Sequence, residues 1–147
     1  MTVDGPVVYV TRLYGFSATH RLHAPALSDA ENRAIYGKCN NPFGHGHNYE
    51  VGITVAGPVD AVTGRAVSLE ALDALMTREV MTPLRYRNLN QEVAAFRAAV
   101  PTTENLAIEV DRRLRAAWTS AFPSGLPRLE KIRIGETERN ICELGGL

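Results

Sequence analysis

The chain has 147 residues, 45% hydrophobic and 22% charged, with sixteen basic side chains balancing sixteen acidic ones. This composition excludes a largely disordered chain, and no apolar run is long enough to cross a bilayer. Zero formal charge removes the bulk electrostatic attraction to nucleic acid, so any charged site must be local.

The length suits a single domain over residues 1–147, able to bury roughly 68–70% of its unfolded surface without disulfides. The opening Met1-Thr2-Val3-Asp4-Gly5 lacks the basic start and apolar stretch of a secretion leader. Two cysteines, Cys39 and Cys142, are too few for a disulfide framework. Both are read as thiols of a cytoplasmic protein with no membrane segment.

The first element, Val7 to Tyr14, is β-branched and aromatic and reads as a strand continuing to Ala18. From Arg21 to Asn41 the pattern breaks around Pro25, Ser28, Asp29 and Gly37, with a short helix possible over Ser28 to Ile35. A loop of that length in a compact domain is usually functional or flexible. A second strand begins at His45, with His47, Tyr49, Val51, Ile53 and Val55 on one face, and Gly57-Pro58 ends it. Asp60 to Gly64 reads as a turn before a short return. Ser68 caps a helix with an apolar stripe from Leu69 to Val80 that Pro83 stops. Arg85 to Val100 has no clear pattern. Pro101-Thr102-Thr103-Glu104-Asn105 opens another helix, with Leu106, Val110, Leu114 and Ala117 as its stripe. Leu129 to Glu136 alternates again and pairs as a hairpin with a strand around Ile141 to Leu144. The order predicts an α+β domain: an antiparallel four-stranded sheet with two helices packed on one face. Both sheet edges lack obvious protection, which points to pairing between subunits.

All four histidines, His20, His23, His45 and His47, precede residue 48. His45 and His47 are two apart on a strand, so their rings share a face. His20, at the end of the first strand, completes a three-nitrogen set, the protein ligation typical of catalytic zinc with an open fourth position. The competing reading of His45 and His47 is a polar pair at a turn, and His23 is left out as an exposed loop residue. Cys39, beside Lys38, is either a base or nucleophile activated by a cation or a small buried hydrophobe. Cys142 fits the buried reading better. Glu136 shares the apolar face of Ile132 and Ile134. It either accepts hydrogen bonds from a flat heterocycle or turns out to solvent.

Together these residues resemble the 6-pyruvoyl-tetrahydropterin synthase family. The matching blocks are Phe16 to His20, Gly37 to Tyr49, Pro101 to Asn105 and Gly135 to Thr137, and they keep the family order across most of the chain. The resemblance implies the tunnelling fold, in which three subunits join sheets into a barrel and two trimers stack into a homohexamer with active sites between subunits. It implies a zinc-dependent lyase that converts 7,8-dihydroneopterin triphosphate to 6-pyruvoyl-tetrahydropterin, releasing triphosphate, in tetrahydrobiopterin synthesis. By carry-over His20, His45 and His47 hold Zn2+. Glu136, with Thr102, Thr103 and Glu104, anchors the pterin, and Cys39 is the general base. The five residues between Cys39 and His45 are similar to the pyruvoyl enzymes. A related alternative is 6-carboxytetrahydropterin synthase of the queuosine pathway or another side-chain cleavage.

The family pattern breaks once. Where relatives carry an Asp-His pair, this chain has Arg85-Tyr86. An arginine is no base at neutral pH, but its charge could lower the Cys39 pKa or hold triphosphate. Tyr86 could shuttle a proton. The alternative is a lost relay and a protein that binds pterin and zinc with weak turnover.

Overall fold

The computed structural model describes residues 5–145; Met1–Asp4, most of the stretch searched for a leader, and the last two residues lie outside it. Four strands form one antiparallel sheet in sequence order: β1 (Val7–His20), β2 (His45–Pro58), β3 (Arg128–Thr137) and β4 (Asn140–Gly145). The expected α+β class and hairpin order are what the structure has. β1 and β2 pair along their whole length, from Val7↔Pro58 to His20↔His45.

Period-two alternation divides the sheet into two faces. Phe16 and Ala18 of β1, Tyr49, Val51, Ile53 and Val55 of β2, and Ile132 and Ile134 of β3 are buried on one of them. Over that face lie helices α2 (Leu69–Met76) and α3 (Thr103–Ala121), while the short α1 (Asp29–Tyr36) leads toward β2. Each helix starts where a hydroxyl can satisfy an orphan backbone N–H. Ser28 and Glu31 form a reciprocal capping box at α1, Ser68 accepts from Ala71 N at α2, and Thr102 accepts from Asn105 N at α3. Leu72, Leu75 and Met76 of α2 and Leu106, Val110 and Leu114 of α3 have no exposed surface. Burying such a side chain contributes about 1.5–3 kcal/mol, so this layer fixes α3 against the sheet.

The structure departs from the sequence reading in several places. The stretch after β1 is less irregular than its punctuation suggests, because α1 runs into a tight 3-10 turn at Gly37–Asn40. No return strand follows the Asp60 to Gly64 turn; Asp60 N closes it on Arg65 O. Pro83 does not stop α2 directly. The chain passes through a π-helical turn, Thr77–Met81, and stays helical to Leu84. The patternless stretch from Arg85 holds two short turns, Leu89–Glu92 and Ala94–Arg97.

The β1 edge is also not wholly bare. Tyr86 N donates to Ser17 O and Thr19 N donates to Arg87 O, so the 85–88 segment covers its last residues. The helix-free face carries Tyr9, Leu13 and Ile141, which are 63%, 55% and 43% exposed. No helix among the described residues is long and apolar enough to cross a membrane.

Candidate metal centre

The β1–β2 register sets the centre. His20 lies directly opposite His45, and Ala18 opposite His47, so all three imidazoles emerge from the helix-covered face at the end of the sheet. β3 extends the same row. Val51 pairs with Ile134 and Glu50 with Gly135, which brings Glu136 beside the end of β2 on the histidine face. Cys39 arrives from the 3-10 turn. That turn is tied to the chain leaving β1, because Leu22 N donates to Cys39 O at 2.7 Å and Asn40 Nδ2 donates to Leu22 O at 2.7 Å.

The ligand atoms of His20, Cys39, His45, His47 and Glu136 all lie within 4.8 Å of one another. His47 Nε2 is 3.2 Å from His45 Nε2 and 2.7 Å from Glu136 Oε1, and His20 Nε2 is 3.6 Å from the same oxygen. Asn140 Nδ2 holds the other carboxylate oxygen at 3.0 Å. His20 is the most constrained member, at 1% exposure. Its Nδ1 donates to Pro101 O at 2.9 Å, with Tyr49 Oη at 3.1 Å. A carbonyl accepts only, so the proton sits on Nδ1 and Nε2 keeps its lone pair. That Nε2 is buried without a hydrogen-bond partner. This is the second-sphere arrangement of a metal-ligating histidine. An orphan imidazole nitrogen among two more imidazoles, a thiol and a carboxylate fits a borderline-soft divalent ion such as zinc.

Burial chiefly holds the His20 and His47 pKa values below the ordinary histidine range, so both rings are in the neutral form that binds metal. Burial, and then Glu136, push the Cys39 thiol up. The charged neighbour acting on this thiol is Glu136. A cation among the imidazoles would reverse that balance.

Gly44 closes the loop between Cys39 and His45. Its φ is +70°, and a Cβ there would stand 2.7 Å from His20 O. Only glycine combines that conformation with that approach.

The remaining predicted residues divide. Glu136 is buried at 8% exposure, so the solvent-facing reading of it fails. Thr102 spends its hydroxyl on the α3 cap, and the buried Thr103 hydroxyl donates to Glu104. Pro101, just before them, is the acceptor for His20. The Cys142 thiol is pushed up chiefly by burial and then by the Glu104 and Glu143 carboxylates. Arg85 and Tyr86 are exposed and make no hydrogen bond or ion pair to the cluster among the described residues. Tyr86 borders a small recess with Ser17, Ala18, Thr19, Gly46, His47 and Asn48. Its φ is +60°, uncommon for a non-glycine residue.

His23 is half-buried rather than a free loop residue, because Asn40 Nδ2 reaches its Nδ1 at 3.1 Å. The sequence reading gave no role to Asn40, Tyr49, Pro101 or Asn140. Tyr49 carried a signal in its period-two spacing from His47, and Asn40, Tyr49 and Pro101 lie within the blocks that carry the resemblance.

Known proteins resemble this chain over nearly its whole length. The profile of the family described as 6-pyruvoyl tetrahydropterin synthase matches residues 9–146. The 6-pyruvoyl tetrahydrobiopterin synthase of Poecilia reticulata is 47% identical over 138 residues, covering 94% of this chain and 90% of that protein. The human protein of the same name is 43% identical over 137 residues, covering 93% and 90%. The solved structure of Caenorhabditis elegans 6-pyruvoyl tetrahydropterin synthase superposes with a TM-score of 0.86 at 39% identity, over 99% of this chain and 100% of that one.

Proposed function

The chain belongs to the 6-pyruvoyl tetrahydropterin synthase family, and from that premise we infer that it converts 7,8-dihydroneopterin triphosphate to 6-pyruvoyl-tetrahydropterin with release of triphosphate. The observation that carries the reading is the convergence of His20, His45 and His47 around the unpartnered Nε2 of His20, with Cys39 at the rim.

In this reading the three imidazoles hold Zn2+, which when bound supplies Lewis acidity to the hydroxyls of the substrate side chain. The chain's own residues do the rest. Cys39 Sγ takes the proton from the carbinol carbon next to the ring, whose electron pair passes into the ring C=N bond; protons gained at that ring nitrogen and carbon leave the ring reduced and the carbinol a ketone, without a nicotinamide. Loss of a proton from the second carbinol carbon then expels triphosphate as an enol forms, and the enol tautomerises to the second ketone. Glu136 accepts from the pterin through its carboxylate, steadied by Asn140. Thr102, Thr103 and Glu104, at the start of α3, help Glu136 anchor the pterin in this reading.

Active sites between subunits give Arg85 and Tyr86 a place. From a neighbouring copy Tyr86 moves a proton during tautomerisation, and Arg85 lowers the Cys39 pKa or meets the leaving triphosphate. The homohexamer this requires is supported by the exposed Tyr9, Leu13 and Ile141 and by the β4 edge. Two free thiols suit a reducing cytoplasm.

One observation favours a second use of Glu136. Its Oε1 lies close enough to His47 and His20 to serve as a further metal ligand, which would close the site.

The test incubates metal-loaded protein with the substrate and weighs the pterin product. The 6-pyruvoyl mass with equimolar triphosphate is expected, and Cys39→Ala should lower turnover by about 10²–10⁴-fold while metal content holds. A 6-carboxy product, or a fully active Cys39→Ala, overturns the assignment.

A further inference from the structure

A concavity of about 680 Å³ lies between the end of β1, the loop before β2 and the segment from Asn88 to Pro101, a size within the roughly 300–1,000 Å³ of small-molecule sites. The buried His20 side chain closes it off from the metal centre. Its Nδ1 is spent on Pro101 O and its Nε2 turns toward Glu136 and the other ligands, so the ring offers neither nitrogen to the concavity. The concavity is therefore a compartment of its own, and its occupant is read from its own walls.

Those walls are one-sided in charge. Arg21, His23 and Arg97 line them, and among the described residues no carboxylate does. Glu92, one residue beyond the lining Gln91, is taken up by Arg87 at 3.6 Å and by the Asn88 N–H at 2.7 Å. In a chain whose formal charge is zero, this local excess favours an anion.

The donors of the first wall are held in place. Asn90 clamps the Arg21 backbone, accepting from its N–H at 2.7 Å and donating to its carbonyl at 2.8 Å. Arg21 Nε donates to Asn40 O at 3.2 Å. Among the described residues its two terminal amino groups have no partner, and neither Arg21 nor Arg97 joins an ion pair with a carboxylate. Asn40 also fixes the His23 tautomer. Its Nδ2 donates to Leu22 O and, at 3.1 Å, to His23 Nδ1, which makes that ring nitrogen an acceptor. The ring proton then lies on Nε2, which is left as a donor.

We propose that this concavity binds a phosphate-bearing anion at a site separate from the metal centre and from the substrate held there. Arg21 and His23 come from the chain leaving β1, and Arg97 from the 3-10 turn Ala94–Arg97 on the other wall. Donors on two walls suit a group with oxygens on several sides, as a phosphate has, better than the flat edge of a carboxylate. A guanidinium tied at its inner edge and free at its outer fork suits a pair of such oxygens. The inference does not rest on the pterin reading.

The test is calorimetric titration of metal-loaded protein with inorganic diphosphate and, in a second arm, with ADP. Wild type is compared with Arg97→Gln, Arg21→Gln, the metal-ligand variant His45→Ala and, as control, Arg128→Gln on β3. Arg97 is exposed on a short turn, so its variant keeps the fold. We expect both arginine variants of the concavity to bind diphosphate about three- to tenfold more weakly, and added salt to weaken wild type. Arg128→Gln and His45→Ala should match wild type, the latter although it has lost its metal. ADP binding that falls likewise in Arg97→Gln assigns the site to a nucleotide, and diphosphate binding without ADP binding assigns it to the free anion; both support it. Equal diphosphate affinity in wild type and the two arginine variants overturns the site. Binding that disappears in His45→Ala but persists in Arg97→Gln overturns it too, because the anion then sits on the metal. Absence of diphosphate binding to wild type at millimolar concentration has the same consequence. Loss of turnover in His45→Ala with diphosphate binding intact separates this site from the lyase centre.

Discussion

The histidine end of the sheet and the Arg85–Tyr86 segment lie on either side of the same β1 strand, and they are built in opposite ways. At the first, every side chain is buried or half-buried, two have a partner behind them, Pro101 for His20 and Asn140 for Glu136, and the Cys39 turn is tied through its backbone to Leu22. At the second, the side chains stand in solvent and only the backbone is held, by Ser17 and Thr19. The chain therefore brings five potential metal ligands together, while Arg85 and Tyr86, the proposed proton-handling pair, stand apart from them. Preorganisation is concentrated at the cluster that could hold a cation.

Removing a ligand should break this contrast most severely. His20→Ala deletes a buried imidazole and leaves Pro101 O unpaired, so bound metal should fall from about one ion per chain to near none. Elemental analysis checks this, and undiminished metal would mean that His20 is structural only. Gly44→Ala attacks the same end through the backbone. Its left-handed φ and the 2.7 Å approach to His20 O predict a loss of about 1–3 kcal/mol, read by denaturant unfolding, with weaker metal binding beside it. An unaffected variant would show that the loop can shift without disturbing His20.

Acid should sharpen the difference. The folded His20 and His47 pKa values lie below the unfolded value, so the unfolded chain binds more protons just below that value. Their contribution to stability is present above about pH 6.5 and is lost as pH falls from there through the folded values. Metal-free protein should melt at lower temperature at pH 5.5 than at pH 7.5, and His47→Ala should flatten the slope. A slope unchanged in that variant would assign the effect to other groups. The smallest effect belongs to the other region. Tyr86→Gly relieves a left-handed φ at an exposed site and should stabilise by about 0.5–1 kcal/mol while slowing turnover. Stabilisation with full activity would remove Tyr86 from the proton relay.

Much of this was legible in the residues because the signals were periodic. Alternating β-branched residues placed β1, β2 and β3, and His45 and His47 took their common face from the strand period alone. The α3 start was readable because Thr102 followed by Glu104 is a local chemical signal. The π-helical turn at Thr77–Met81 was not readable, since the apolar stripe from Leu72 to Val80 continues through it. Arg85 to Val100 stayed unread because its turns are short and the first is held by Asn88 capping and by contact with β1, neither of which has a period. The second sphere was hidden for a similar reason: Pro101 O and Asn40 Nδ2 act through backbone and amide groups whose partners lie far away in sequence. The approach of Glu136 to Cys39 was hidden because the two are far apart in sequence and meet through the β2–β3 pairing.

The central claim is best tested by X-ray absorption at the zinc edge of the metal-loaded protein. Three imidazole nitrogens at about 2.0–2.1 Å with one further light atom, and no sulfur, are predicted. A sulfur at about 2.3 Å would make Cys39 a ligand instead of the base, and contradict the account.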